Sequence, residues 1–293
     1  MVYLALLLVL PAADADDSLS KKMLPIYVKE VETYTLSVES APDRPLELKK
    51  EPVFEWLNPA RNTQQGALFL WLRDGRPAAL ACIFSAPHQK LPGRRINHEL
   101  HALDPEKLLV KHDGYNEWKP QAGLARAELP DAPTPAATSG NRLLQMRRLV
   151  QEFSGHTIDR DRQRWELRML PTPLYRYPAA KTRVVDGALF ALMSSAGTDP
   201  EVLLLLEAKE NGGNLRWEYA CGRFSDLELR VRRKDKEVFA SVPSESNPFS
   251  HDPLHLYRFY PEKLVTTEGK LLGRFRPTAR NPWGGEFIPV DEK

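Results

Sequence analysis

Cysteine is scarce in this sequence, which has two in 293 residues. Cys82 and Cys221 allow at most one disulfide, and no C-x-x-C pair is present to form a zinc or redox site. Both lie in apolar, strand-like stretches, where a free cysteine packs as a small hydrophobic residue. One disulfide and two buried thiols both stay open, and the context favours the thiols.

An excess of charge of one sign is also missing. Lys and Arg number 41 against 39 Asp and Glu, a net charge of +2, which gives no general attraction to nucleic acid or to an anionic membrane. Glycine (16) is outnumbered by proline (25), which favours strands and turns over long helices. Since 42% of the residues are apolar and 27% charged, we expect a folded globular protein.

Long apolar runs are absent beyond the N-terminus. Residues 2–10 are apolar and precede Pro11 and the small-x-small pattern Ala13-Asp14-Ala15, which predicts a signal peptide over residues 1–16 cleaved near Ala15. The run is too short to span a bilayer, lacks a basic n-region and is not followed by a lipid-anchoring cysteine. Export to the periplasm or the extracellular space is therefore predicted, with an apolar first strand as the alternative.

Sequence motifs of common enzymes are missing. The chain has no G-x-S-x-G nucleophile elbow and no glycine-rich phosphate loop, since "NGGN" at 211–214 suits a hairpin turn. Catalytic groups can still converge from distant positions, so this absence lowers the expectation of an enzyme without removing it.

The chain contains one pattern twice. "GALF" begins an apolar run, a turn and a second apolar run at residue 66 and again at residue 187, while "LELKKEP" (46–52) matches "WELRMLP" (165–171). Glu99 falls on Glu218 in the same alignment. An internal duplication is therefore predicted. The duplication divides the mature chain into a first unit (17–118), a Pro/Ala-rich linker (119–140), a second unit (141–245) and a C-terminal extension (246–293). The extension is expected to pack on the body formed by the two units.

Each unit has the pattern of antiparallel β-structure. Asp74-Gly75 separates two apolar runs, as in a β-hairpin, and the runs are apolar enough to be covered on both faces. One main amphipathic helix is predicted at about 141–155, with Ser139 as its N-cap and Gly155 at its end. The fold class is α+β, predominantly antiparallel β, with the two related units packed against each other.

The stretch "INHELHAL" offers His98, Glu99 and His101 as a metal or acid/base cluster. On a strand His98 faces away from Glu99 and His101, so one zinc-like ion needs a bulge at Glu99. It also needs a third ligand, for which the sequence offers His88, His112 and His255. The second unit has Trp217 and Ala220 at the histidine positions, which favours a polar strand over a shared site.

The stretch "SHDPLHLYRFY" (250–260) has the ligand-like pattern His251-Asp252 followed by His255. Pro253 breaks the helix that would align the two histidines. Packing of a strand is the favoured interpretation here as well.

Tryptophan marks the predicted binding surface. Trp71, Trp118 and Trp217 are expected to line an exposed groove between the units. The leading hypothesis is a non-enzymatic binding or structural module without a cofactor, whose partner is a cell-envelope protein or a glycan. The alternative is a metal-assisted hydrolase that uses His98, Glu99 and His101 with a divalent transition metal such as zinc.

Three segments together resemble uncharacterised exported proteins of planctomycete-type bacteria. They are "EPVFEWLNPARN", "GALFLWLRDGRPAALACIF" and "NHELHAL", and the resemblance covers residues 45–260. It implies an exported bacterial protein. Because that family has no assigned activity, it carries no catalytic residue to this chain.

Export is testable with two substitutions in the apolar run. Leu7→Arg interrupts the run and is expected to retain the full-length chain in the cytoplasm, whereas Val2→Arg adds the missing basic n-region and is expected to preserve export. Intact-mass analysis of periplasmic and cytoplasmic fractions from a Gram-negative host measures both. An uncleaved chain in the cytoplasm for wild type and Val2→Arg alike would contradict the signal peptide.

Overall fold

The structure is a computed structural model, and it describes residues 12–58, 63–178, 183–195, 197–242, 252–278, 280–281 and 285–290. Its described part has eighteen strands and two helices, all paired strands being antiparallel, so the predicted β-rich α+β class is confirmed. Residues 1–11 of the predicted signal peptide lie outside the described residues. In the part of the chain that is described, neither helix has the length and apolar character to cross a membrane.

The described part of the chain begins with helix α1 (Ala12–Val31), and six strands follow. These are β1 (Tyr34–Val38), β2 (Glu47–Asn58), β3 (Gln64–Arg73), β4 (Arg76–Pro87), β5 (Arg94–Ala102) and β6 (Leu108–His112). A short strand β7 (Ala127–Glu128) and helix α2 (Ser139–Val150) follow.

Eight strands continue from α2, and three more complete the chain. The eight are β8 (Phe153–Ile158), β9 (Arg164–Met169), β10 (Tyr175–Tyr177), β11 (Val184–Ser194), β12 (Pro200–Asn211), β13 (Asn214–Arg223), β14 (Glu228–Arg233) and β15 (Lys236–Ser241). The last three are β16 (Tyr257–Val265), β17 (Leu271–Arg276) and β18 (Glu286–Pro289).

The strands form two large sheets and one ribbon. The first sheet has the order β18–β17–β16–β5–β4–β3–β2. The second has the order β15–β14–β8–β9–β11–β12–β13–β7, with β10 also beside β11, and β1 pairs with β6 as a separate ribbon. The C-terminal extension does more than pack on the body, because β16 joins the first sheet beside β5 with Tyr257 opposite His101.

The β3–β4 connection is the hairpin predicted from Asp74-Gly75. Arg73 pairs with Arg76, and the two residues between them have φ values of 53° and 85°. A two-residue loop with positive φ at both positions matches the twist of the flanking strands. Gly212 and Gly213, with φ values of 59° and 84°, connect β12 to β13 in the same way.

The elements stack in four layers held by three cores. The two sheets pack face to face through a central core, here called the intersheet core, with Leu68, Leu80 and Leu205 fully buried. The other face of the first sheet is covered by α1 and the β1–β6 ribbon, and the other face of the second sheet by α2. This double cover explains why the strands are apolar on both faces.

The order of elements repeats. In each half a helix is followed by a strand (β1 or β8), further strands, and a consecutively paired set of three (β3–β4–β5 or β11–β12–β13). The strand after that set returns to pair with the strand after the helix, as β6 does with β1 and β14 with β8. The repetition supports the proposed duplication, which stays a prediction.

Helix α2 is shorter than predicted. Its N-cap is Thr138, whose Oγ1 accepts a hydrogen bond from the Asn141 backbone N–H at 3.3 Å, and it ends at Val150. Gly155 lies in β8, where a Cβ atom would be 2.8 Å from the Arg230 carbonyl oxygen of β14. The glycine therefore permits close strand pairing and does not end the helix.

Both cysteines are free and buried. Cys82 belongs to the intersheet core, whereas Cys221 belongs to the core beneath α2, on the other face of the second sheet. The two alternatives are resolved in favour of buried thiols.

The intersheet core can be tested with a matched pair of leucines. Leu205→Ala removes a fully buried side chain and is expected to lower the free energy of unfolding by about 2–5 kcal/mol. Leu144 on α2 is 52% exposed, so Leu144→Ala is expected to change it by about 0.5 kcal/mol or less. Urea denaturation measures both values, and equal values would contradict the face-to-face packing.

Candidate functional site

Strand β5 carries the three residues of the predicted metal cluster, and it divides them between its two faces. His98 points with Leu100 towards α1, while Glu99 and His101 point into the intersheet region. The ladder to β4 is regular through these positions, so no bulge redirects Glu99. The structure therefore does not bring the predicted trio together.

His98 is fully buried in a hydrogen-bonded network beneath α1. Its Nδ1 lies 2.5 Å from the Tyr34 hydroxyl, and its Nε2 lies 3.4 Å from a carboxylate oxygen of Glu30. The other Glu30 oxygen is 2.5 Å from Lys263 Nζ of β16. These contacts tie α1 and the ribbon to the first sheet through polar groups that water does not reach.

His112 forms the second half of this network. The Thr33 hydroxyl donates to the Glu30 carbonyl oxygen at 2.7 Å, so it accepts from His112 Nδ1 at 3.0 Å. His112 Nε2 then faces Glu262 at 3.7 Å, and Arg274 donates to that carboxylate at 2.9 Å. We call these side chains the α1 polar network; its members are Glu30, Thr33, Tyr34, His98, His112, Tyr260, Glu262, Lys263 and Arg274.

The three histidines that the sequence offers as a third metal ligand lie in three different places. His112 stands beside His98, with 5.9 Å between ring centroids, and His255 lines a cavity together with His101. His88 accepts a backbone hydrogen bond from Leu91 at 3.0 Å in the loop after β4. Among the residues that the structure describes, no three His, Cys, Asp or Glu side chains are arranged to hold a metal ion.

The three tryptophans do not line a groove between the units. Trp71 and Trp118 lie in the core beneath α1, and Trp217 lies in the core beneath α2, each with at most 2% of its surface exposed. None of the three rings belongs to the intersheet core. The expectation of an exposed aromatic groove is therefore corrected.

A cavity of about 280 Å³ lies where the ends of the two sheets meet. Its lining is mostly apolar and comes from five separate segments; the residues are His101, Leu124, Cys221, Gly222, Arg223, Phe239, Ser241, His255, Leu256 and Tyr257. Strand β15 is at one edge of the second sheet and β13 is next to the other edge, yet both line this space. The second sheet is therefore strongly curved, and the cavity occupies the gap between its ends. We call it the intersheet cavity.

His101 and Tyr257 are the most buried polar side chains of the intersheet cavity, each with 2% of its surface exposed. The Nδ1 of His101 donates to the Ala102 carbonyl oxygen at 2.7 Å, which leaves Nε2 as an acceptor. The ring lies against Gly222, where a Cβ atom would be 2.9 Å from Nε2, so the close approach requires glycine. Burial, helped by the charges of Arg223 and Arg126, lowers the pKa of His101 to about 4. The imidazole is therefore neutral at physiological pH.

Tyr257 and Glu99 form the wall beside His101. The tyrosine hydroxyl donates to Glu99 Oε1 at 2.5 Å, and the Arg223 guanidinium lies 4.8 Å from the centre of the tyrosine ring. Burial raises the pKa of Glu99 well above its usual value, against the hydrogen bond from Tyr257, and the nearby Asp199 and other carboxylates raise it further. The carboxyl group is thus held towards its protonated form.

The rim of the intersheet cavity carries His255. Its Nε2 is 3.2 Å from the Asp252 carboxylate, and 39% of its side chain is exposed. The structure therefore brings together two members of the predicted His251-Asp252-His255 pattern, and His251 lies outside the described residues. Sequence reasoning missed the cavity itself because its five segments share no local motif.

The α1 polar network predicts a loss of stability in acid. Burial acts to raise the pKa of Glu262, but the facing imidazoles of His112 and His98 and the Asn116 amide lower it to about 2. A carboxyl group that titrates near pH 4.5 when unfolded and near 2 when folded stabilises the protein fully above about pH 4.5. That stabilisation is lost as the pH falls towards 2.

Glu262→Gln is therefore expected to lower the free energy of unfolding at pH 7 by on the order of 3 kcal/mol and to flatten its decline between pH 5 and pH 3. Some decline remains, because the pKa of Glu30 is also lowered, against burial, by His98 and Lys263. Urea denaturation across this pH range measures the effect, with the exposed Glu47→Gln as the matched control. Equal pH dependence in wild type and Glu262→Gln would contradict the role of this carboxylate.

No model of a known protein family, no curated protein and no solved structure matches this chain. The resemblance of its three segments to exported planctomycete-type proteins therefore stays a prediction. An account of the function depends on the geometry and chemistry of the site itself.

Proposed function

We propose that this protein is a non-enzymatic binding module of the periplasm or cell surface, and that the intersheet cavity is its ligand site. The observation that carries the proposal is a mostly apolar cavity with the buried His101 ring in its wall, and the Nε2 atom of this ring is an acceptor. Small-molecule sites generally combine apolar walls with a few fixed polar groups.

The titratable groups around the cavity favour binding over turnover. Burial lowers the pKa of His101 to about 4 and raises the pKa of the Cys221 thiol to about 12. A general base works best with a pKa near the working pH, and a thiol attacks as its thiolate. At neutral pH both side chains are uncharged and suited to lining a pocket.

The separation of His98 from Glu99 and His101 gives no support to the alternative metal-assisted hydrolase. His98 is engaged with Tyr34 and Glu30 beneath α1, across the sheet from His101. We therefore place the binding module ahead of the hydrolase.

The export proposal is compatible with the packing of α1. The buried apolar side chains of this helix are Met23, Tyr27 and Val31. Cleavage near Ala15 would leave all three in place. The sequence suggests a cell-envelope protein or a glycan as the partner. The apolar lining of the cavity suits a small apolar molecule better than a hydroxyl-rich glycan chain.

Filling the cavity is expected to abolish binding of a small apolar probe. Ser241 lines the cavity, whereas Ala240 on the same edge strand is exposed, so Ser241→Trp occupies the space and Ala240→Trp serves as the matched control. We expect wild type and Ala240→Trp to broaden the ¹⁹F NMR signal of 4-fluorotoluene saturably, and Ser241→Trp to weaken binding at least tenfold.

Circular dichroism establishes that both tryptophan variants are folded. Absence of saturable binding to wild type, or equal binding by the two variants, would remove the cavity as the ligand site.

A further inference from the structure

The ligand chemistry follows from the hydrogen-bonding inventory of His101. The ring is 2% exposed, its Nδ1–H is used by the Ala102 carbonyl, and the described residues provide no donor to Nε2. Nε2 is not one of the buried polar atoms without a partner among the described residues, so water can reach it in the free protein. A hydrocarbon that covers Nε2 would leave this acceptor without a donor, which costs about 1–3 kcal/mol, whereas a ligand that donates one hydrogen bond at this position avoids that cost.

The charge of the ligand is restricted by the same surroundings. Because the pKa of His101 is about 4, its Nε2 carries no proton at neutral pH. Nε2 therefore cannot donate a hydrogen bond to a carboxylate, and two lone pairs would face each other. A cationic ligand would bring its charge into a mostly apolar space close to Arg223. A neutral donor, a hydroxyl or an N–H group, satisfies both conditions.

The size of the ligand follows from the cavity volume. A buried cavity of roughly 150 Å³ holds one benzene molecule. The intersheet cavity has about 280 Å³ and is partly open to solvent, so by the same ratio it holds at most roughly eleven non-hydrogen atoms. Phe239 and Tyr257 supply aromatic surface for a ring, beside the buried face of His101.

We propose that the intersheet cavity binds a neutral phenol or alcohol with an apolar body of about one substituted ring, whose hydroxyl donates to His101 Nε2. This inference rests on the proposed function, because it names the ligand class of the same site. Gly222 is the positioning residue, since only glycine allows the His101 ring to lie where it does.

The test compares three para-substituted ethylbenzenes by isothermal titration calorimetry of the full chain. They are 4-ethylphenol, 4-ethyltoluene, in which a methyl group replaces the hydroxyl, and 4-ethylbenzoate, which carries a negative charge. We expect 4-ethylphenol to bind at least tenfold more tightly than either of the other two.

Two ring-conserving variants locate the acceptor. His101→Phe is expected to abolish the preference for 4-ethylphenol while keeping the binding of 4-ethyltoluene. His88→Phe, in the loop after β4 and outside the cavity lining, is expected to keep the preference. In wild type the ¹⁵N resonance of His101 Nε2 is expected to shift with 4-ethylphenol and not with 4-ethyltoluene. A purely structural role of His101 through Nδ1 would move neither readout.

The outcomes separate the two proposals. Equal affinities for 4-ethylphenol and 4-ethyltoluene would leave the cavity as a binding site and overturn the ligand class. Tightest binding of 4-ethylbenzoate, or a preference for 4-ethylphenol that persists in His101→Phe, would overturn it as well. Failure of all three ligands to bind would remove the ligand site together with the inference.

Discussion

The packing of the two sheets against each other is the interaction on which the rest of the structure depends. Neither helix covers more than one face of one sheet, so the apolar residues on the remaining faces of β3, β4, β11 and β12 can be buried only against each other. Each half alone would leave one face of its sheet exposed to water. The intersheet core therefore makes the two halves a single folded body and fixes where their edges meet.

Burial on both faces also determines how charged side chains are arranged. Arg76 of the first sheet donates two hydrogen bonds, at 2.7 and 2.6 Å, to Glu207 of the second, and Tyr177 donates a third at 2.6 Å. Arg126 completes the cluster at 3.4 Å. Replacing such a cluster with apolar residues is often neutral for stability, but its fixed geometry favours one register over others. The α1 polar network combines carboxylates and cations in the same way on the far face of the first sheet.

The sequence predicts the features that follow from local backbone rules. Asp74-Gly75 accommodates the positive φ values of its hairpin, and the two-residue period of a strand separates His98 from Glu99 and His101. Helix α1 is not among the predicted elements, although Met23, Tyr27 and Val31 recur at helical spacing, because the signal-like run over residues 2–10 dominates the pattern of this region. The helical spacing of these three residues is the sequence signal from which α1 can be predicted.

Long-range pairing accounts for the other omissions. Strand β16 joins β5 across 156 positions, with Tyr257 opposite His101, and no local pattern specifies that partner. The prediction of a tryptophan groove was wrong because the hydrophobicity of a tryptophan does not indicate which of the three cores its ring enters. The intersheet cavity depends on both effects at once, since its walls are the ends of strands that meet only after the sheets have packed.

The position of the cavity is itself a consequence of these constraints. The strongly curved second sheet does not close completely, and a gap remains between β13 and β15. Strand β16 of the C-terminal extension brings Tyr257 beside His101 at this gap. A larger residue at position 222 would push the imidazole into this gap, whereas glycine lets the ring lie against β13 and leaves the space open. His101 gives its Nδ1–H to its own strand, and this leaves Nε2 as an acceptor. The same packing that stabilises the two sheets thus produces a mostly apolar cavity with His101 in its wall, and the proposed binding of a neutral donor rests on this arrangement.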